Sequence, residues 1–176
     1  MERKYKNMRI RSATTEDAEQ LCRWWNDGAV MEHAGFPNGL GKRVDEVAAQ
    51  IREADEKSPQ IHILLLDDIP IGELHYRSAG AGICGIGIKI CEVSCQNKGL
   101  GKIVLSLFID GLFHEYGFQK ITLDTNLKNT RAQHVYEQLG FQKIRTTIDS
   151  WKDQLGKLQS SVDYELTEKQ FVSYLA

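Results

Sequence analysis

The sequence predicts one α/β domain, with a mixed sheet of about six to seven strands and about four to five flanking helices. Three observations predict this class. The chain has 176 residues, 41% of them hydrophobic, which is enough for one substantial core. Runs typical of strands alternate with amphipathic helical stretches, and no composition shift divides residues 1–176 into two domains. A strand, a glycine loop, a long apolar helix and another strand follow one another between residues 83 and 124, which predicts a right-handed parallel crossover.

Composition excludes several classes of protein. The 22 basic and 24 acidic residues are mixed along the chain and leave a net charge of −2, so we expect neither nucleic acid nor an anionic membrane as a partner. No apolar run is long enough to span a bilayer. The four cysteines form no Cys-x-x-Cys pair and have no histidine at zinc-ligand spacing. We therefore expect a cytoplasmic protein with reduced thiols and no metal, and a homodimer is left open.

The first third of the chain predicts a strand, a helix, a loop and a second helix. Met8–Arg11 is the strand, and Thr14 is a suitable N-cap for a helix that ends near residue 27. Residues 28–41 are rich in glycine and predict a loop. The second helix ends before Ser58-Pro59. The apolar residues with helical spacing are Ala18, Leu21, Cys22 and Trp25, then Val44, Val47, Ala48 and Ile51.

The middle of the chain predicts three strands. Ile61–Leu66 is continuously apolar and suits a central strand, and Ile69–Tyr76 follows a short turn as its hairpin partner. Ile83–Cys91 is the third strand, with isoleucines on one face. Its other face is mostly small, which allows another group to lie close against it: Gly85, Gly87 and Lys89.

The last part of the chain predicts two helices, a strand, a hairpin and a short terminal helix. The first helix follows Gly101 and ends near Gly117, and the strand is Ile121–Asp124. The second helix is closed by Gly140. The hairpin consists of Gln142–Trp151 and Leu158–Leu166. The terminal helix covers residues 167–175 and begins with a capping box at Thr167.

The loop from Gln96 to Lys102 is the strongest candidate for a binding site. It joins a strand to the start of a long helix, where backbone N–H groups have no helical partner and the helix dipole is positive. Two glycines remove the Cβ atoms that would keep an anion away from those N–H groups, and two lysines add positive charge. An ordinary tight turn is the alternative interpretation. The P-loop and dinucleotide-binding glycine patterns are absent.

Two motifs in this order resemble the GNAT N-acetyltransferase superfamily. Gln96-x-x-Gly99-x-Gly101 is similar to its acyl-CoA loop, and Asn129-x-x-Ala132 with Tyr136 before Leu139-Gly140-Phe141 is similar to its second signature. The resemblance extends from about residue 9 to residue 166. It implies a single GNAT domain whose sheet is splayed between two parallel strands, where the acyl-CoA thioester enters.

The resemblance also implies how acetyl-CoA would be held. The diphosphate would lie on the glycine loop, and the pantetheine arm would pair with the end of the preceding strand. Asn129 would hydrogen-bond that arm, and Arg131 would lie near the phosphates. The residues implied in cofactor binding are Ile88, Lys89, Ile90 and Cys91 on the strand, Gln96, Asn97, Lys98, Gly99, Leu100, Gly101 and Lys102 on the loop, and Asn129, Arg131 and Tyr136.

Attack of an amine on a thioester requires a base and an acid. The resemblance assigns the acid to Tyr136, because a phenol is protonated at neutral pH and can donate to the departing thiolate. Candidate bases are Glu92, just after the cofactor strand, and Glu73 and Asp124 on strands that border the cleft; His75 is a weaker candidate. The helix–loop–helix insert would contact the acceptor through Trp24, Trp25, His33 and Phe36.

The implied activity is acetyl transfer from acetyl-CoA to a primary amine. Residues 23–30 resemble a branch that contains ribosomal-protein N-terminal and aminoglycoside 6'-N-acetyltransferase-like enzymes, so the acceptor would be an aminoglycoside, a polyamine-like molecule or a protein N-terminus. A non-catalytic acyl-CoA-binding module is the main alternative. Four acidic residues would attract a cationic acceptor: Asp27, Glu32, Asp149 and Asp153.

Overall fold

Residues 1–175 form eight strands and five α-helices in this computed structural model, which describes that part of the chain. The strands are β1 (Glu2–Tyr5), β2 (Met8–Ser12), β3 (Gln60–Leu66), β4 (Ile69–Gly80), β5 (Ile83–Ile90), β6 (Lys120–Asn126), β7 (Gln142–Lys152) and β8 (Leu158–Thr167). The helices are α1 (Ala18–Asn26), α2 (Gly28–Met31), α3 (Val44–Arg52), α4 (Leu100–His114) and α5 (Thr130–Gln138). The predicted α/β class is confirmed.

The strands make one mixed sheet in the order β1-β2-β3-β4-β5-β6-β8-β7. All neighbours are antiparallel except β5 and β6, which α4 connects as a parallel crossover. The parallel pairing covers only Ile83–Gly85 against Lys120–Thr122. Beyond Gly85 the two strands separate, although β6 remains paired with β8 as far as Asn126. The sheet is therefore open along one edge of β5.

A helical layer covers each face of the sheet. Leu64 of β3 belongs to the cluster under α4 and α5, whereas Ile63 and Leu65 belong to the cluster under α1 and α3. Both faces of β3 are buried, which explains why its sequence is continuously apolar instead of alternating. α4 is similarly apolar on most sides, and nine of its fifteen residues are buried between the sheet and its neighbours.

The structure corrects the predicted strand count from six or seven to eight. β1 precedes the predicted first strand and pairs with β2 through a turn at Lys6-Asn7. It has no fully buried residue, because it lies at the sheet edge and three of its four side chains are charged at neutral pH. Its sequence therefore lacks the apolar signal that identifies an inner strand.

Two predicted segments also differ. Residues 28–41 contain the short helix α2 and a 3₁₀ turn, whereas α3 ends at Arg52, before Ser58-Pro59 as predicted. The predicted terminal helix is only a 3₁₀ turn over Glu168–Gln170, although its capping box forms. The chain leaves this turn extended because its N–H groups find tertiary partners: Val172 donates to the Leu139 carbonyl at 3.0 Å and Tyr174 to Ser106 Oγ at 2.9 Å.

Replacement of Gly140 by alanine should destabilise the domain by at least about 2 kcal/mol. This glycine closes α5 with φ +95°, and the Cβ of an alanine there would lie 1.9 Å from the Gln170 carbonyl oxygen. Chemical denaturation would measure the loss. Gly156→Ala is the matched control, since φ there is +78° but no atom lies within 4 Å of a Cβ; about 1 kcal/mol is expected. Equal losses in the two variants would contradict the proposed clash.

Candidate active site

The loop predicted to bind an anion lies at the end of β5 and at the start of α4. A 3₁₀ turn over Val93–Cys95 reverses the chain, and the Gln96 side chain donates from Nε2 to the Ile90 carbonyl at 2.9 Å. Gly99 is the N-cap of α4 and adopts φ +74°, a left-handed conformation that glycine reaches without a steric penalty. The loop is thus fixed to the last residue of the strand.

The backbone N–H groups of residues 97–102 donate to no other group within residues 1–175. A Cβ on Gly99 would have no neighbour within 4 Å, and one on Gly101 would meet only Val135 Cγ1 at 4.0 Å. The fold itself therefore does not require Gly101 to lack a side chain. Open space in front of unpartnered N–H groups at the N-terminus of a fifteen-residue helix fits a phosphate group.

The two predicted lysines of this loop are in different environments. Lys98 is exposed beside the free N–H groups. Lys102 Nζ lies 4.5 Å from the centre of the Tyr174 ring, so the extended C-terminal segment holds its side chain. Lys98 is thus the loop lysine whose charge is available to a ligand without moving a packed partner.

The open edge of β5 presents unpaired backbone groups to the gap beside β6. The Cys84 carbonyl points toward β6, because it accepts from Thr122 Oγ1 at 3.3 Å. The Lys89 carbonyl points the other way, toward β4, where a Cβ on Gly72 would lie 2.2 Å from it. Backbone groups alternate along a strand, so those of Ile86, Ile88 and Ile90 face the gap, although the Ile90 carbonyl already accepts from Gln96 Nε2. An extended chain could pair with them as an added strand.

Tyr136 on α5 belongs to the buried core cluster, and its ring packs edge-on against Phe141 and Tyr164 at centroid distances of 5.8 Å. It is 8% exposed, and its hydroxyl has no hydrogen-bond partner within residues 1–175. Burial, with a smaller effect of the Asp124 charge, raises the pKa of the Tyr136 phenol to about 12. The hydroxyl is therefore a protonated and available hydrogen-bond donor at neutral pH.

Two of the three predicted base candidates are already occupied. Glu73 is buried and accepts from Trp25 Nε1 at 3.0 Å and from Lys89 Nζ at 3.1 Å. Glu92 accepts from Trp24 Nε1 at 2.8 Å and from Arg23 Nη2 at 2.9 Å. Each carboxylate therefore already accepts one tryptophan N–H and one basic side chain.

Asp124, the third candidate, borders a cavity of about 750 Å³ between β4, β5, β6 and the β7–β8 hairpin. Its carboxylate has no ion pair within residues 1–175. Desolvation and the neighbouring Asp163 raise its pKa above the ordinary value. The residues that line the cavity are His75, Arg77, Gly85, Ile86, Thr122, Leu123, Asp124, Ile144, Arg145, Asp163, Tyr164 and Glu165.

The helix–loop–helix insert and the β7–β8 hairpin are joined above the α1 face of the sheet. The Trp151 ring covers Gly35, where a Cβ would lie 2.4 Å from the indole. Gln154 binds the insert through both its backbone and its side chain. Its backbone N–H donates to the Gly35 carbonyl at 2.8 Å, and its side-chain Nε2 donates to the Gly39 carbonyl at 3.0 Å. These contacts join segments more than 100 residues apart, and Trp151 was not among the predicted site residues.

The four predicted acceptor contacts divide into two pairs. Trp24 and Trp25 are both buried in the α1 cluster, so they position Glu92 and Glu73 through their indole N–H groups. His33 and Phe36 lie on the exposed part of the insert. Of the remaining predicted residues, Asn129 caps α5 by accepting from the Ala132 N–H at 3.2 Å, and Arg131 is exposed.

The predicted cysteine at the end of the cofactor strand has a purely structural environment. Burial raises the pKa of the Cys91 thiol well above its ordinary value, and the nearby Glu73 charge acts in the same direction. The thiol therefore stays neutral. Within residues 1–175 no cluster of three or more histidine, cysteine, aspartate or glutamate side chains has the geometry to hold a metal ion, and no helix is long and apolar enough to cross a membrane.

The family model described as "Acetyltransferase (GNAT) domain" matches residues 7–142, which include the loop, both separated strands and Tyr136. Two curated relatives have the name aminoglycoside N(6')-acetyltransferase type 1. The one from Serratia marcescens is 24% identical over 178 residues, covering 91% of this chain and 86% of that protein. The one from Klebsiella pneumoniae is 26% identical over 155 residues, covering 78% and 75%.

Solved structures show the same fold. A spermidine N-acetyltransferase from Vibrio cholerae, in complex with CoA and spermine, superposes with a TM-score of 0.83 at 16% identity and covers 93% of this chain and 97% of its own. A structure described as a probable acetyltransferase has a TM-score of 0.79 at 19% identity, with coverage of 97% and 99%. At such identities these structures are evidence for the fold alone.

Proposed function

Because this chain belongs to the GNAT acetyltransferase family, we propose that it transfers the acetyl group of acetyl-CoA directly to a primary amine of a small polycationic molecule. The observation that carries the proposal is the row of unpartnered N–H groups at residues 97–102, placed beside the gap between β5 and β6. The N–H groups suit a diphosphate, and the open β5 edge suits the amide-containing arm that follows it in acetyl-CoA.

The residues around the gap would supply the chemistry in three parts. Backbone N–H groups of β5 that face the gap would stabilise negative charge on the thioester oxygen as the amine attacks. The Tyr136 hydroxyl would donate to the departing sulfur. Its high pKa makes it a weak acid, so we assign it a relay role, in which it gives its proton to sulfur and takes one from the attacking nitrogen.

A polycationic acceptor is favoured by the charge in the cavity and by the relatives. Asp124 has a carboxylate at the cavity wall without an ion pair within residues 1–175, whereas the neighbouring Asp163 is paired with Arg145. Both curated relatives are named for an aminoglycoside, a molecule with several ammonium groups. Opposite charge within a partly enclosed cavity attracts such an acceptor and orients one amine toward the gap.

An amine-acceptor screen with free CoA release as the signal tests the proposal. The panel contains aminoglycosides, linear polyamines, single-charge alkylamines and peptides with free N-termini. We expect turnover with polycationic amines and little with the others. Turnover restricted to peptides would overturn the acceptor class while keeping the reaction. Saturable acetyl-CoA binding without turnover on any amine would instead indicate the non-catalytic binding module.

Asp124→Asn should raise the KM for a polycationic acceptor about 10-fold, because the change keeps the shape of the side chain and removes one charge facing the cavity. Steady-state kinetics at fixed, saturating acetyl-CoA would measure it. The effect should shrink for an acceptor with one positive charge and at high ionic strength. An equal rise in KM for neutral and cationic acceptors would contradict an electrostatic role for this carboxylate.

A further inference from the structure

Within residues 1–175, His75 is the one imidazole that lines the cavity at the gap. It lies on β4, opposite Gly87 of β5 in the antiparallel register. A Cβ on Gly87 would lie 2.3 Å from His75 Cε1 and 2.8 Å from Nε2, so the ring lies directly over the glycine. The missing side chain of Gly87 is thus what lets the imidazole cross β5 toward the gap and Asp124.

Neither ring nitrogen of His75 has a hydrogen-bond partner within residues 1–175. This distinguishes it from the buried His62, whose Nδ1 lies 2.9 Å from the Gln60 carbonyl and whose ring packs against Tyr76 and Phe108. The His75 ring can therefore accept a proton from a bound molecule without losing an existing bond.

We propose that His75 is the base that takes the proton from the ammonium group of the acceptor, while Asp124 holds that cation beside it; this proposal rests on the proposed acetyl transfer. Glu73 and Glu92 each accept a tryptophan N–H and a basic side chain at Oε1, which holds both carboxylates in place within the fold. Asp124 has no ion pair within residues 1–175, but its carboxylate is the group that holds the cation; at ordinary pKa values, moreover, a carboxylate is a weaker base than a neutral imidazole. A base whose pKa is nearer the working pH is the more effective one.

The protons and bonds balance as follows. The acceptor ammonium gives one proton to a His75 ring nitrogen, and the neutral amine forms a C–N bond with the thioester carbon. The C–S bond then breaks, and sulfur leaves with the bonding pair and a proton from Tyr136. The nitrogen of the new C–N bond gives a second proton to Tyr136, which restores the tyrosine hydroxyl. His75 then releases its proton to solvent. The sum is amide, thiol and one proton.

Burial and the charges on several strands together set the pKa of His75. Burial lowers its pKa most, Lys89 acts in the same direction, and Glu73 and Asp124 oppose them. The imidazole is therefore neutral, and able to accept a proton, at neutral pH. The titratable and charged groups that face this region are His62 on β3, Glu73 and Arg77 on β4, Lys89 on β5, Asp124 on β6, Arg145 on β7, and Asp163 and Glu165 on β8.

The first test is His75→Ala with a strongly basic primary amine. We expect kcat to fall about 100-fold while the affinity for acetyl-CoA is unchanged. Added imidazole should restore at least about a tenth of the lost rate, because the deleted ring leaves space beside the gap. The deficit should fall below about 10-fold for an acceptor whose amine is already neutral at the assay pH. A purely structural role would produce neither effect.

Gly87→Ala tests the position of the ring while His75 is kept. The new methyl group would displace the imidazole, so a similar loss of kcat is expected. Gly85→Ala is the control for folding alone, since its methyl group would meet only Thr122 Oγ1 at 3.7 Å; because Gly85 also lines the cavity, its kcat is not used as a reference. Unfolding midpoints of both variants show whether strand β5 is intact.

NMR titration of the His75 ring provides a readout independent of turnover. We expect the pKa to lie below that of a free imidazole and to fall further in Asp124→Asn, because a stabilising negative charge is removed. Two results would overturn the role of His75 and leave the proposed function intact. In one, the wild type transfers acetyl groups and His75→Ala is equally fast. In the other, kcat falls in His75→Ala, but the fall does not depend on added imidazole or on the basicity of the amine. If the wild type acetylates no amine, both fail.

Discussion

Tyr136→Phe should lower kcat about 1000-fold and leave both the affinity for acetyl-CoA and the free energy of unfolding nearly unchanged. The change removes one hydroxyl that has no protein partner, and it keeps the ring contacts with Phe141 and Tyr164. Loss of a positioned proton donor slows a reaction by about 10² to 10⁴. Steady-state kinetics, acetyl-CoA titration and chemical denaturation would measure the three quantities.

Tyr116→Phe is the control for kcat alone, because the Tyr116 hydroxyl, unlike that of Tyr136, accepts a hydrogen bond from the Met1 ammonium group at 2.6 Å. Tyr116 follows the C-terminal end of α4, at the other end of the helix from the glycine loop, and its phenol lies beside Tyr76. We expect kcat in this variant to equal that of the wild type. A small effect of Tyr136→Phe on kcat, with intact folding, would show that the departing sulfur takes its proton from water, and Tyr136 would then serve only packing.

Gly101→Asp should weaken acetyl-CoA binding about 1000-fold, equivalent to about 4 kcal/mol, without destabilising the fold. A side chain at this position points into open space in front of the N–H groups of residues 97–102. The carboxylate would occupy the place of the diphosphate, repel it and take at least two of its charge-assisted hydrogen bonds, each worth about 1.5–3 kcal/mol. Isothermal titration with acetyl-CoA would measure the change.

The same substitution should raise the unfolding midpoint slightly, because an acidic residue in the first turn interacts favourably with the helix dipole. Gly101→Ala is the control, since a methyl group fits the space and carries no charge; its affinity should fall less than about 10-fold. If Gly101→Asp bound acetyl-CoA as tightly as the wild type, the diphosphate would lie elsewhere. The loop would then be an ordinary turn.

Residues that are close in the chain were predictable from it. The glycine loop spans seven residues between a strand and a helix, and its geometry follows from local rules for helix starts and left-handed glycines. The end of α5 is local in the same way: Gly140 N–H donates to the Glu137 carbonyl and Phe141 N–H to the Tyr136 carbonyl. The sequence could therefore place Tyr136 one turn before a fixed helix end.

Contacts between distant residues were not predictable, because strand register and loop docking decide them. His75 meets Gly87 through the β4–β5 register, and a slip of one residue would turn the imidazole to the opposite face of the sheet. Trp25 and Glu73 are 48 residues apart, and Trp24 and Glu92 are 68 apart. Adjacent tryptophans carry no signal of which acid each one will contact.

The amino-acid order by itself determined the α/β class, the parallel crossover, the anion-binding loop and the helix that carries Tyr136, because each depends on side-chain periodicity or on turn chemistry within about ten residues. Only the tertiary structure decided which acids are free. Pairing across the sheet engages Glu73 and Glu92 and leaves Asp124 and His75 open to the cavity. The pKa of a group depends on the charges and the burial around it in space. Around His75 and Asp124, the charged and titratable residues come from six different strands.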